Sequence, residues 1–125
     1  MQPKKIVIHK ERAYKPAQFT RVSEKPSNFE SNIFKAAKNG NLPSIQYLFE
    51  QCHANVEARS SNGWYLLHYA SISLVTEVIE YLVVKCHANV EVKDNNGWTP
   101  LHRASFQGRI HAVVYLVEGF GANVK

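Results

Sequence analysis

Cysteine is scarce: Cys52 and Cys86 are the only two in 125 residues. A small disulfide-stapled fold needs more, so stability has to come from a packed core, and reduced thiols suit a cytosolic or nuclear setting. No run of 18 apolar residues occurs, so no membrane-spanning helix is expected. No apolar stretch follows the first lysines, so secretion is not expected either. Phosphate-binding glycine loops, paired catalytic acids and cofactor fingerprints are missing, so neither catalysis nor a cofactor is expected. The chain from residue 29 onward also lacks net charge, with eight basic and eight acidic residues. The whole excess of +5 sits in residues 1–28, where seven basic residues meet Glu11 and Glu24.

That leading segment has no stable hydrophobic period, and Pro3, Pro16 and Pro26 interrupt any helix. It reads as a basic, extended and partly disordered N-terminal arm, in which Ile6–Val7–Ile8 could form a short strand and Phe19 and Val22 could dock. Lys4, Lys5, Lys10 and Arg12 could contact nucleic acid or an acidic partner, or simply be solvated.

A repeat dominates the rest. Cys52-His53-Ala54-Asn55-Val56-Glu57 returns 34 residues later as Cys86-His87-Ala88-Asn89-Val90-Glu91, and Asn62-Gly63-Trp64 returns as Asn96-Gly97-Trp98. Gly121-Ala122-Asn123-Val124 begins a third copy. A fixed period of this length marks a repeat architecture. Each unit carries two helical patterns, predicted at 31–39 and 42–51, 65–73 and 75–85, then from Pro100 to about Gln107 and over 109–118. In the last of these Ile110, Val113, Val114, Leu116 and Val117 form the expected buried face. Asn-Gly between extended stretches predicts hairpin-like turns.

Thr99-Pro100-Leu101-His102-Arg103-Ala104 resembles the T-P-L-H-x-A signature of ankyrin repeats, and Gly108 and Gly121-Ala122-Asn123 fall in step with it. The resemblance covers residues 29–125 and implies an all-α solenoid of about three repeats, near 29–62, 63–96 and 97–125, behind the arm at 1–28. The period of 34 exceeds the usual 33 by one residue after each second helix, at Cys52, Cys86 or Phe120. The middle repeat departs most. Tyr65-Leu66-Leu67-His68 loses both threonine and proline, and Leu74 replaces the helix-ending Gly40 and Gly108. The third repeat has no polar cap before Lys125, so the natural chain is expected to continue or this face to pair with another chain.

The resemblance also assigns roles. It implies that His68 and His102 brace the helix–turn junction rather than act as general bases. Cys52-His53 and Cys86-His87 could suggest a metal site. However, equivalent positions in stacked repeats lie roughly 8–10 Å apart, too far for metal bonds of about 2.0–2.3 Å or for a disulfide. His53 and His87 align with Gly121, a left-handed position that histidine tolerates. The implied function is protein–protein interaction through the concave face and hairpin tips. The positions that the family leaves variable are Ser61, Asn62, Asn95 and Asn96 at the tips, Lys35, Lys38 and Asn39, Tyr69, Ile72 and Ser73, and Arg103, Phe106 and Gln107. Trp64 and Trp98 follow the turns and are equally readable as contacts or as scaffold. Tyr69, Trp98, Arg103 and Phe106 are the expected anchors. Nucleic-acid or acidic-partner binding through residues 1–28 is the alternative.

Overall fold

The computed structural model describes residues 19–124. Ile6–Val7–Ile8 and the basic residues of the arm up to Lys15 lie outside the described residues. Among the described residues, six helices follow one another as three antiparallel pairs. They are α1 (Ile33–Lys38) and α2 (Leu42–Gln51), then α3 (Leu66–Ser71) and α4 (Glu77–Glu80, widening into a π-helical turn over Tyr81–Lys85), then α5 (Pro100–Phe106) and α6 (Ile110–Val114, widening likewise over Tyr115–Gly119). Among the described residues there is no named strand, only an isolated antiparallel bridge between Arg59 and Tyr65. The protein is an all-α repeat solenoid.

Small residues in register let the first helices stack closely. Ala36, Ala70 and Ala104, each 34 residues from the next, are fully buried where α1 meets α3 and α3 meets α5. Behind them, Ile45, Val78, Ile79, Leu82 and Leu116 from the second helices complete one continuous core. The buried face of α6 differs from the amphipathic expectation. Leu116 and Ala112 are buried, Val113, Val114 and Val117 are half-buried, and Ile110 is 70% exposed. Ile110 occupies the first turn of α6, where no other element covers it among the described residues.

The extra residue of the 34-residue period has a visible place. At the ends of α1 and α5, the N–H groups of Asn41 and Arg109 reach back five residues to Ala36 and Ala104, each at 2.9 Å. This is the Schellman closure around a left-handed glycine. At the ends of the second helices the N–H groups of Ala54, Ala88 and Ala122 reach back six residues, to Leu48, Leu82 and Leu116. Each wider ring holds one more residue, and in α4 it continues a π-helical turn closed by Cys86 N–H to the Tyr81 carbonyl at 3.3 Å. Turns of this kind are rare and absorb single insertions. The chain then reverses through His53, His87 and Gly121 at φ of 57°, 60° and 70°.

Helices of the middle repeat are shorter than the sequence predicts, ending at Ser71 and resuming at Glu77. Leu74 does not adopt the left-handed conformation that Gly40 and Gly108 use to stop a helix sharply. A longer irregular turn results, held by Ser73 Oγ, which accepts from Val75 N–H at 3.0 Å, and by Arg109 Nε, which donates to the Ile72 carbonyl at 2.7 Å.

Residues 19–28 run along α2. Gln46 Nε2 donates to the Thr20 carbonyl, Val22 N–H donates to Glu50 at 2.8 Å, and Phe19 packs edge-on against Tyr81 with centroids 5.1 Å apart. This part of the arm is therefore attached to the first two repeats. No helix among the described residues is long and apolar enough to cross a membrane.

Because Leu82 is fully buried at the centre of the stack, Leu82→Ala is expected to cost about 2–5 kcal/mol. Urea unfolding followed by circular dichroism would show this as a lower midpoint.

Candidate partner-binding surface

Each hairpin closes on the same two backbone bonds. Ser60 and Asp94 N–H donate to the Trp64 and Trp98 carbonyls at 2.8 and 2.9 Å, while Gly63 and Gly97 N–H donate back to Ser60 and Asp94. The left-handed φ of 88° at Gly63 suits only glycine well, and an added Cβ would collide with the Asn95 side chain. Each hairpin leads into a first helix whose third residue is histidine. His68 Nδ1 accepts from Tyr65 N–H, and His102 Nδ1 accepts from Thr99 N–H, both at 3.0 Å. That leaves His68 Nε2–H to donate to the Trp98 carbonyl at 2.7 Å, so one imidazole ties the start of α3 to the second of the two hairpins. His68 is completely buried. Burial favours its neutral form and lowers its pKa, against the opposing pull of the Trp98 carbonyl.

Arg103 dominates the electrostatics. Its guanidinium lies 4.6 Å from the Trp64 ring centroid and 4.4 Å from that of Trp98, a cation held between two indole rings. Its Nε and Nη2 both bond Asp94 Oδ2 at 2.7 Å. The Asp94 carboxylate also accepts from Asn96 and Trp98 N–H. Burial alone would raise the Asp94 pKa, but the bonds from Trp98 N–H, Arg103 and Asn96 N–H outweigh it and hold the carboxyl below its ordinary value. One repeat earlier the same two positions hold Ser60 and Tyr69, and their side-chain oxygens meet at 2.9 Å. A neutral pair in one repeat has become an ion pair in the next.

These contacts gather part of the expected surface. Phe34, Tyr69, Trp64, Trp98 and Phe106 form a chain of ring contacts interrupted by the Arg103 guanidinium, with centroid separations of 5.5 Å (Phe34–Tyr69), 4.9 Å (Tyr69–Trp64) and 5.5 Å (Trp98–Phe106). Both tryptophans are half-buried while packing against Arg103. The Arg103 side chain is only 15% exposed, whereas Phe106 is 72% exposed. At the tips, Asn95 accepts from Arg59 at 2.8 Å and donates to the Asn62 carbonyl, linking the two hairpins. Ser61 and Asn96 are exposed beside them. Lys35 and Lys38 are exposed on α1. Lys38, Asn39, Ile72, Ser73 and Gln107 lie apart from the aromatic chain and line a separate cleft where the first helices end.

Sequence reasoning did not single out Asp94, Arg59 or Arg109. Asp94 carried a usable signal, since it and Arg103 change together relative to Ser60 and Tyr69. Elsewhere, burial pushes the Cys86 thiol up to about 12, so this cysteine is a poor nucleophile. Among the described residues, no three His, Cys, Asp or Glu side chains converge as metal ligands.

A family model described as ankyrin repeats, in three copies, matches residues 33–125. No curated protein sequence matches the chain. Among solved structures, one similar in fold is described as the predatory endopeptidase Bd0816 from Bdellovibrio bacteriovorus in complex with immunity protein Bd3460. The TM-score is 0.69 at 25% identity, and the match covers 78% of this chain and 49% of the other. The present chain thus spans about half the length of that one. In all, 474 solved chains match, so the shape alone selects no partner.

Two outcomes are expected from this geometry. Arg103→Ala leaves the buried Asp94 carboxylate unpaired and should cost about 3 kcal/mol, with tryptophan emission shifting to the red as both indoles gain water. Folded His68 binds its proton more weakly than unfolded histidine. Its contribution is therefore intact above the ordinary histidine pKa near 6.5 and declines as pH falls below it. Between pH 7.5 and 5.5, the unfolding free energy of the natural chain should fall by up to about 1.4 kcal/mol more than that of His68→Gln.

Proposed function

This chain belongs to the ankyrin repeat family, and on that premise we propose that it is a protein–protein interaction module, without enzymatic activity of its own. The partner lies across the concave face and hairpin tips. The observation that carries this reading is Phe106, 72% exposed and packed edge-on against Trp98. An aromatic ring held out by rigid neighbours loses little entropy on binding and brings large apolar area. Tyr69, half-buried, extends the apolar centre, while Lys35, Asn62, Asn95 and Asn96 supply a polar rim. An apolar core inside a polar rim is how protein interfaces are built. Trp98 and Tyr69 flank the anchor, and Arg103 with Trp64 holds the set rigid. The solved structure of similar fold is itself a complex of an endopeptidase with an immunity protein. That supports a protein as partner without indicating which.

Nucleic-acid binding through residues 1–28 gains no support. Lys4, Lys5, Lys10, Arg12 and Lys15 are outside the described residues, and Arg21 and Lys25 are accompanied by Glu24. Self-association through the third repeat has only the exposed Ile110 and Val124 in its favour.

The test is a Tyr69→Ala, Phe106→Ala double variant that retains the helical circular dichroism of the natural chain. Its affinity for a protein captured and purified with the natural chain should fall at least about tenfold, as truncating interface aromatics commonly does. A folded variant with undiminished affinity would refute the assignment of this surface.

A further inference from the structure

The turn between α3 and α4 breaks a rule that the neighbouring repeats keep. Gly40 and Gly108 stop their helices at φ of 68° and 70°. Leu74 holds the equivalent position and is 81% exposed. A leucine left in water forgoes the stabilisation its burial would bring, and the turn it spoils is repaired by Ser73 and Arg109. Local rules broken without local gain are expected at functional positions.

Leu74 forms a ridge between two clefts. One, of about 530 Å³, is lined by Lys38, Ile72, Gln107 and Arg109. The other, of about 230 Å³, is lined by Thr76, Arg109, His111 and the exposed Ile110. Ile72 and Ile110 on either side of Leu74 make an apolar floor. The charge around it has one sign. No carboxylate lines either cleft, and neither Lys38 nor Arg109 forms a salt bridge among the described residues. The helix C-termini nearby offset only about half a charge each. The hairpins feed the helix N-termini, so this surface lies at the opposite end of the first helices from the tips.

The geometry points to this surface as a docking site for an acidic peptide segment carrying a large aliphatic side chain. That side chain packs on Leu74 and Ile72, and flanking carboxylates pair with Lys38 and Arg109. The inference rests on the reading of the stack as a binding module and gives that module a second contact area of defined chemistry.

A random 12-residue peptide display library selected on the full chain, with counter-selection on Leu74→Ser, tests it. Selected peptides should carry at least two Asp or Glu around a Leu, Ile or Met. Synthetic copies should bind Leu74→Ser and Lys38→Glu at least tenfold more weakly than the natural chain, and the Tyr69→Ala, Phe106→Ala variant equally well. Leu74 is exposed, so Leu74→Ser is expected to stay folded, which circular dichroism verifies. No enrichment, enrichment of non-acidic peptides, or binding indifferent to Leu74→Ser would overturn the proposal. So would Leu74-dependent binding of phosphatidylserine–phosphatidylcholine vesicles without peptide selection. Peptides lost only on Tyr69→Ala, Phe106→Ala would overturn this site while leaving the hairpin-side surface standing.

Discussion

The guanidinium of Arg103 closes the gap between the second and third repeats, packed against the Trp64 and Trp98 rings and bonded to the Asp94 carboxylate. A cation placed there needs all three partners. Aromatic faces compensate lost hydration only in part, and a buried charge without a counter-ion costs several kcal/mol. Asp94 is in turn held by the backbone N–H groups of its own turn, so the hairpin conformation and the ion pair require each other. His68 adds a second tie across the same junction through the Trp98 carbonyl. In a solenoid, each repeat is stabilised mainly by its neighbours. The junction between repeats two and three therefore fixes both hairpins and, with them, the direction in which Phe106 projects.

Much of the scaffold was legible because it repeats. The 34-residue echo identified the units, the T-P-L-H-x-A match located α5 and its cap, and histidine opposite glycine marked the left-handed residues at 53 and 87. What depends on long-range partners was not legible. Nothing near Arg103 in sequence shows that Trp64, 39 residues earlier, packs against its guanidinium. For that reason Trp64 and Trp98 could be read equally as scaffold or as contact, and their half-buried state is compatible with both. The exposure of Ile110 was hidden for a different reason. Helical periodicity gives the direction of a face but not whether a neighbour covers its end. The shortened helices around Leu74 follow from a single missing glycine, a departure visible in the sequence whose structural cost was not.

The candidate surface divides along the same lines. Residues chosen as one stripe lie in two places: an aromatic chain beside the hairpins, and a basic and aliphatic patch where the first helices end. Connecting segments tolerate change better than packed helices do, so they are where a repeat protein acquires specificity. Members of one fold family serve unrelated partners, so the argument for binding has to come from these exposed side chains and their fixed surroundings rather than from the solenoid itself.

Amide hydrogen exchange across the whole chain tests the central claim that this junction fuses repeats two and three into one cooperative unit. The account predicts that the buried amides of α3, α4 and α5 exchange with a common opening free energy equal to that of global unfolding. Exchange of α5 amides through a separate, lower-energy opening while α3 and α4 stay protected would contradict it.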